Sequence, residues 1–252
     1  MAYSVTDLSR APDFTEARYR ALLTAARERF RFRRLTDDLN DEAVALWRHD
    51  IDFSPNRALA LARIETELDC PAVYFVLLGS PFYNPFETAT RDVLKQIATL
   101  GHDIGLHYDA SLVDGDLARH EDQISFEAAT LSRWLSVPIR AFSLHNPTVS
   151  SEVPLAGEKH AGLVNASAPA LRHSFHYCSD SNGTWRYRSL HEVVADPEVR
   201  RLYALTHAEW WTPTPMPRSQ RVQRCIDGRA MRVAADYKSF LEQHRPDALV
   251  DE

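Results

Sequence analysis

The segment at residues 43–54 constrains the fold of this chain more than any other. An apolar run of strand length ends in Asp50 and Asp52, and a helical pattern begins at Ser54, a suitable N-cap with Pro55 at the first helical position. Because side chains alternate along a strand, the two aspartates share one face. Neighbouring carboxylates repel unless a cation or a shared proton lies between them. The segment therefore predicts a metal site or an acid–base pair; the alternative is an ordinary polar strand end with one aspartate capping the helix.

Strand-like and helical patterns alternate along the rest of the chain. The apolar run at 72–78 suits a strand covered on both faces, a helix follows at about 87–100, and a further helix is predicted within 151–160. About seven strands predict an α/β fold with a parallel sheet, either a barrel or doubly wound, with its chemistry at the carboxyl ends of the strands. Without a visible linker or repeat, residues 1–252 are expected to form one domain, with its motifs at about 44–211 and a helix packed on it near each end.

Composition excludes several classes of protein. A net charge of −6 gives no general attraction to nucleic acid, and the longest apolar run is too short for membrane insertion. Residues 1–7 show no signal-peptide pattern, and three widely spaced cysteines form neither a disulfide framework nor a zinc knuckle. We therefore expect a cytoplasmic protein of undetermined oligomeric state that neither binds nucleic acid nor inserts into a membrane.

Polar residues recur at the predicted strand ends. These ends carry Asp50 and Asp52, then His107-Tyr108-Asp109, His145-Asn146, Asp180 with Trp185, and His207 with Trp210. The carboxyl ends of parallel strands meet at one rim, so these residues are expected to converge. Histidine and aspartate are ligands of a divalent ion such as Zn²⁺, and three such ligands with an open position are typical of a catalytic site.

These segments resemble the motifs of the polysaccharide deacetylase superfamily (NodB-homology, carbohydrate esterase family 4). The closest resemblance is to the branch whose first motif is of the Arg-His-Asp-Val-Asp type. The matching segments occur in the family's order: Arg48–Asp52, Gly101–His107, Phe142–Pro147, Tyr177–Ser181 with Trp185, and Leu205–His207 with Glu209–Trp211.

The resemblance implies a distorted (β/α)7 barrel and metal-dependent hydrolysis of an amide, typically removal of an N-acetyl group from a sugar. By position, Asp50 is the general base, Asp52 and His107 are metal ligands and His207 is the general acid. Asp180 and Trp185 match the motif that shapes the pocket and tunes that histidine. Further candidates for substrate binding are Asn146, Tyr108 and Trp210, with core packing an equal alternative for Trp210.

Two positions depart from the family pattern. The second histidine ligand is expected four residues after His107, where this chain has Ser111, and His145-Asn146-Pro147 replaces the usual third-motif arginine. We hypothesise that His145 is the third ligand, with Asp109 and Ser111 as alternatives.

The sequence thus predicts a zinc-dependent hydrolase of a C–N amide bond in an N-acylated sugar. A second enzymatic hypothesis keeps the same site, with a formamide or a ureide as the substrate. A non-enzymatic alternative is a catalytically degenerate barrel that binds a glycan. The serine at position 111 favours this alternative, because it replaces an expected histidine ligand.

Overall fold

The computed structural model describes residues 14–114, 116–146 and 155–245. The helices are α1 (Glu16–Arg29), α2 (Pro55–Glu67), α3 (Thr88–Thr99), α4 (Leu117–Leu135), α5 (Pro169–Ser174), α6 (Leu190–Ala195) and α7 (Arg218–His244). The strands are β1 (Arg31–Arg33), β2 (Val44–Ile51), β3 (Val73–Leu77), β4 (Asp103–Tyr108), β5 (Ala141–Leu144), β6 (Lys159–His160), β7 (Leu163–Asn165), β8 (His176–Ser179) and β9 (Arg201–Thr206). Short 3₁₀ turns follow β4, β8 and β9.

Within these ranges, seven strands run parallel in the order β7-β5-β4-β3-β2-β9-β8. β6 is antiparallel beside β7, and β1 pairs with the first half of β2. β7 and β8 are not paired in the described residues, so the sheet is open between them.

The sheet curves strongly, as shown by side chains that reach across its interior. Arg48 on β2 and Tyr203 on β9 both donate to the carbonyl of Ala166, which directly follows β7, at 2.7 and 2.6 Å. In a flat sheet β2 and β7, four strand steps apart, would be about 19 Å apart. The predicted α/β class and distorted barrel of seven parallel strands are therefore confirmed, with side chains spanning the open side.

Strand β2 lies at the centre of the sheet, between β3 and β9, and all of its residues are buried. Arg48 and Asp50 face the interior, where Arg48 donates to Asp50 at 3.0 Å. Trp47 and His49 face the helices, where the Trp47 indole donates to the hydroxyl of Tyr19 at 2.7 Å. The predicted alternation along this strand is confirmed.

A buried carboxylate on α2 ties the outer face of β2 to its neighbours. Glu65 is fully buried, accepts hydrogen bonds from the hydroxyls of Tyr19 and Tyr74, and lies 2.5 Å from His49 Nε2. Burial raises the pKa of Glu65, but His49 and then His102 lower it, and the net pKa lies below its ordinary value. A charged carboxylate therefore joins α1, α2, β2 and β3.

Glutamine in place of Glu65 should lower the free energy of unfolding by about 3–5 kcal/mol, because removing one partner of a buried ionic network leaves the others uncompensated. Chemical denaturation measures the change. The matched control is Glu67→Gln, which removes an exposed pair with Arg20 and should change stability by about 0–1 kcal/mol. Equal effects of the two substitutions would contradict this role.

One predicted element is wrong and one was missed. The helix predicted within 151–160 is not formed at its end, where Lys159–His160 is a strand paired with β7, and residues 151–154 lie outside the described residues. The short helix α5, which begins at Pro169, was not predicted. Six residues are too few for an apolar helical period to stand out.

Helices α1 and α7 are attached to the rest of the fold in different ways. On α1 the side chains of Tyr19, Leu22 and Leu23 are buried, whereas α7 buries only Arg221 and is anchored through Arg229 and Arg232 on Glu87, at 2.8 and 2.7 Å. No helix within the described residues is both long enough and apolar enough to cross a bilayer. A single domain for residues 1–252 stays a prediction.

Candidate metal centre

Three of the sequence-predicted ligands converge at the carboxyl ends of neighbouring strands. Asp52 directly follows the end of β2, His107 lies on β4 and His145 directly follows β5, and one donor atom of each lies within 4.8 Å of the others. His107 Nε2 is 3.2 Å from Asp52 Oδ1, and His145 Nδ1 is 3.5 Å from the same oxygen and 3.2 Å from His107 Nε2. The parallel register brings these residues together.

The donor set fits a divalent cation. Asp52 Oδ1 is buried and accepts no hydrogen bond from the described residues, although two imidazole nitrogens lie beside it. Burial of such a lone pair without a partner is costly, and a cation between the three atoms removes that cost. Two nitrogen ligands and one carboxylate are the donors that zinc binds at catalytic sites. Asp52, His107 and His145 are therefore the residues that would hold the metal.

A hydrogen-bonded serine orients His107. Ser143 Oγ on β5 lies 2.7 Å from His107 Nδ1 and donates to Asp50 Oδ1 at 3.3 Å. Because the serine hydroxyl has one proton, it accepts the Nδ1 proton of His107 while it donates to Asp50. His107 Nε2 is then unprotonated and available as a ligand, which is the usual arrangement around a metal-binding histidine.

Alanine in place of Ser143 should weaken zinc binding about 10- to 100-fold, the usual cost of removing a hydrogen bond behind a ligand. Competition against a chromophoric chelator measures the affinity. The matched control is Ser167→Ala, whose Oγ accepts from the Leu144 amide at 2.9 Å and which has no hydrogen bond to the three ligands among the described residues. Unchanged zinc affinity in Ser143→Ala would show that the serine does not fix the imidazole.

Asp50 lies beside the cluster but is held by other partners. It is 3% exposed, receives hydrogen bonds from Arg48 and Ser143, and its Oδ2 is 3.9 Å from His107 Nε2. Burial raises the pKa of Asp50, but the Arg48 guanidinium lowers it, and the net pKa is below its usual value. Asp50 is therefore a charged carboxylate at neutral pH, as a general base must be before it accepts a proton.

His207, which directly follows β9, also lies beside the cluster. Its Nε2 is 4.0 Å from Asp52 Oδ2, and its Nδ1 is 2.7 Å from Asp180 Oδ1. Asp180 is fully buried and also accepts from the Trp211 indole at 2.9 Å. Burial lowers the pKa of His207, but Asp180 raises it, and the net pKa is well above that of free imidazole. The ring is therefore protonated at neutral pH, and its Nε2 proton faces the cluster.

The alternative third ligands lie elsewhere. Asp109 Oδ1 accepts from the backbone and the hydroxyl of Ser111, at 3.0 and 2.6 Å, on an exposed 3₁₀ turn. Asp109 does not belong to the group of histidine and carboxylate donors found among the described residues, and the hydroxyl of Ser111 is engaged by Asp109. The geometry favours His145, whose role as a ligand stays a prediction.

The residues predicted to bind substrate divide into two groups. Asn146 lies in the cleft, with its amide 2.9 Å from His145 Nε2, and Asp180 acts through His207. The structure contradicts the predicted contact of Tyr108, which is fully buried on the opposite face of β4 with its hydroxyl bonded to His120 at 2.8 Å. A residue next to His107 on a strand must point away from it.

The two predicted tryptophan contacts are also absent from the cleft. Trp185 stacks on Phe14, with ring centroids 5.3 Å apart, and Trp210 is 6% exposed and packs near Phe53 and against Gly183. Among the described residues that line the cleft, neither indole is present. Core packing, the alternative for Trp210, describes both side chains.

The site includes residues to which the sequence analysis gave no role. Arg48 holds Asp50 from within the barrel, Tyr203 donates to the same carbonyl as Arg48, and Ser143 joins His107 to Asp50. Two of them carry a signal in the sequence. Arg48 lies two residues before Asp50, and Ser143 lies two residues before His145, so each shares a face with a candidate site residue.

A cleft of about 590 Å³ opens above these residues. Asp50, Asp52, His107, His145 and His207 line it, together with residues of β8 and of the segment that follows β8. A cavity of this volume accommodates a ligand of sugar size. The cluster is therefore accessible to a small molecule.

No protein-family model matches the chain, and no curated protein matches it. Among solved structures, the chain is similar to a family 4 carbohydrate esterase from Bacillus anthracis, with 15% identity, a TM-score of 0.43 and coverage of 92% of this chain and 93% of that one.

It is also similar to the peptidoglycan deacetylase PdaC from Bacillus subtilis, with 12% identity, a TM-score of 0.42 and coverage of 82% and 100%. A third match is a family 4 pseudoenzyme from Bacillus anthracis, with 9% identity, a TM-score of 0.43 and coverage of 76% of this chain and 63% of that one. In the mutant of this pseudoenzyme that has restored activity, the chain spans 65% of the length. Similarity at these TM-scores does not determine activity, so function is inferred from the geometry of the site.

Proposed function

We propose that this protein is a metal-dependent hydrolase of a non-peptide C–N amide bond, and that it removes the acyl group from an N-acylated sugar. One observation carries the proposal. Donor atoms of three candidate ligands converge on one point, with a charged carboxylate 3.9 Å from one of them and a protonated imidazole 4.0 Å from another. Amide hydrolysis needs these three components, because water must be activated, the carbonyl polarised and the amine protonated as it leaves.

The metal proposed for this site is Zn²⁺, bound by Asp52, His107 and His145. When held by these residues, zinc would supply a lowered pKa of a bound water and polarisation of a carbonyl oxygen. Asp50 accepts the proton of the attacking water, because Arg48 and Ser143 keep its carboxylate charged and fixed. His207 donates its Nε2 proton to the departing amine, and Asp180 keeps that proton in place at neutral pH.

The sequence motifs and the residues that line the cleft support a sugar as the substrate. The hydroxyls of Ser179 and Ser181 and the amide of Asn182 line the cleft and can hydrogen bond to sugar hydroxyls, while Tyr177 and Tyr187 offer aromatic surface. The free thiols of Cys70 and Cys178 are buried without a disulfide, which supports a reducing, cytoplasmic setting. The polar and aromatic lining of the cleft favours a small glycan substrate over a nucleic acid.

Metal removal tests this proposal. Protein stripped with a chelator should release no acetate from a panel of N-acetylated sugars, and one equivalent of zinc should restore the release. A chelator-resistant activity would contradict the proposal. Release of formate or of ammonia from formamides or ureides, with no acetate release, would favour the alternative substrates.

If the protein is instead a catalytically degenerate barrel, it should bind zinc stoichiometrically and turn over none of these substrates. That alternative is based on the serine at position 111, where a second histidine ligand is expected. A donor atom of His145 lies within 4.8 Å of those of Asp52 and His107, which supports a donor set of three without a histidine at 111.

A further inference from the structure

We infer that the sugar carries a phosphoryl group, a phosphate or diphosphate ester, which Arg172 and Arg186 bind at the outer part of the cleft. The inference rests on the proposed function, which places the acyl group at the metal centre. It names the substrate class that this function would act on.

The two arginines differ from the other arginines of the cleft in having no hydrogen-bond or ion-pair partner within the described residues. Arg48 is paired with Asp50 at 3.0 Å and Arg188 with Asp196 at 2.8 Å. Within the described residues, Arg172 and Arg186 make neither a hydrogen bond nor an ion pair. Both arginines line the cleft and are exposed. Their donors are therefore available to a ligand.

Aromatic rings lie beneath both guanidinium groups. Arg172, in the last turn of α5, lies over the ring of Tyr177, with 4.8 Å to its centroid, and Arg186 lies over Tyr187 at 5.7 Å. Stacking restricts a guanidinium group without occupying its in-plane donors. Two planar sets of donors from separate elements suit a tetrahedral dianion, which can accept hydrogen bonds in several directions.

The charge distribution favours an anion at this end of the cleft. Among the described residues that line it, the carboxylates are Asp50 and Asp52, and both lie at the metal centre. The whole chain carries a net charge of −6, so its overall field repels an anion. An anionic substrate is therefore attracted locally, by Arg172 and Arg186.

The segment that carries Arg186 is held in place at both ends. Gly183 has φ +67°, and a Cβ there would lie 3.0 Å from the Trp210 ring, while Arg218 donates to the carbonyl of Asn182 at 3.1 Å. On the other side, Ser189 and Glu192 form a reciprocal capping box at the start of α6. A positioned cation binds with a smaller entropic cost than a mobile one.

Calorimetry with N-acetylglucosamine 1-phosphate and neutral N-acetylglucosamine tests the inference. Both are titrated into the zinc-loaded Asp50→Asn protein, so that binding is measured without turnover. The phosphorylated sugar should bind at least about tenfold more tightly than the neutral one. Arg172→Gln or Arg186→Gln should each weaken binding of the phosphorylated sugar about tenfold, and the double variant about 100-fold, with the neutral sugar unaffected.

The matched control is Arg200→Gln, an exposed arginine at the opposite end of the barrel, which should leave both affinities unchanged. Equal binding of the two sugars, or equal losses for both in the arginine variants, would overturn the inference. The readout is independent of catalysis: zinc-dependent acetate release together with equal binding of the two sugars would leave the proposed function standing and overturn only this inference.

Two further ligands distinguish the sources of the phosphoryl group. UDP-N-acetylglucosamine represents a nucleotide-linked sugar, and a short polyprenyl diphosphate-linked N-acetylglucosamine in micelles represents a lipid-linked one. The inference expects at least one of them to bind with an affinity that depends on Arg172 and Arg186. Binding of neither would contradict it.

Discussion

Alanine in place of Asp52 should lower the affinity for zinc more than about 100-fold, since losing a ligand costs more than the 10- to 100-fold loss from removing a hydrogen bond behind one. Asp52 supplies the oxygen that lies 3.2 Å from His107 Nε2 and 3.5 Å from His145 Nδ1. Without this carboxylate two neutral imidazoles remain, and they form an incomplete site. Equilibrium competition with a chelator measures the affinity, and acetate release should fall to background.

The matched control is Asp109→Ala, which removes an aspartate from the exposed turn after β4 that the sequence left open as a third ligand. Asp109 is occupied by hydrogen bonds from Ser111, so zinc affinity should be unchanged in this variant. Equal losses in the two variants, or none in Asp52→Ala, would contradict the placement of the metal.

Asparagine in place of Asp50 and alanine in place of His207 should each lower kcat about 10²- to 10⁴-fold while zinc stays bound, which is the usual contribution of a general base or acid. Asp50 accepts hydrogen bonds from Arg48 and Ser143, and His207 is bonded to Asp180, so neither depends on the metal for its position. Steady-state kinetics with zinc analysis of the same samples separates the proton-transfer roles from ligation. Full activity in either variant with zinc bound would contradict its role.

The pH profile gives an independent test of these roles. The pKa of Asp50 is lowered and that of His207 is raised, so activity should rise as Asp50 ionises at acid pH and fall only as His207 loses its proton at alkaline pH. Asp180→Asn removes a charge that raises the pKa of His207, and the alkaline limb should move to lower pH. An unchanged alkaline limb in Asp180→Asn would show that it does not report His207.

The strand pattern in the sequence predicted much of this site, because alternation along a strand is a local property. It placed Asp50 on the opposite side of β2 from His49, and His49 is indeed fully buried against Glu65. The same rule, applied to β4, separates Tyr108 from His107 and would have removed Tyr108 from the candidates. Parallel pairing then explains why Asp52, His107 and His145, distant in sequence, meet at one rim.

The remaining contacts depend on packing between distant segments. Trp185 and Trp210 have the aromatic surface that suits a sugar, but Phe14, Phe53 and Gly183 take up that surface, and nothing near the tryptophans in sequence indicates this. The side chains that span the open side of the barrel also belong to strands far apart in the chain.

The arginines of the outer cleft were missed for a similar reason. Arg172 lies on a six-residue helix and Arg186 on an irregular segment, neither of which has a period that assigns a face. Only the fold shows that both guanidinium groups reach the cleft that contains the metal centre.

A crystal structure of the zinc-soaked protein, with anomalous data at the zinc edge, tests the central claim most directly. We predict one anomalous peak among Asp52, His107 Nε2 and His145 Nδ1, with Zn–N distances of about 2.0–2.1 Å. A peak more than about 3 Å from His145 Nδ1, or none at this cluster in protein that binds zinc stoichiometrically, would contradict the three-ligand site, since zinc–nitrogen bonds are much shorter.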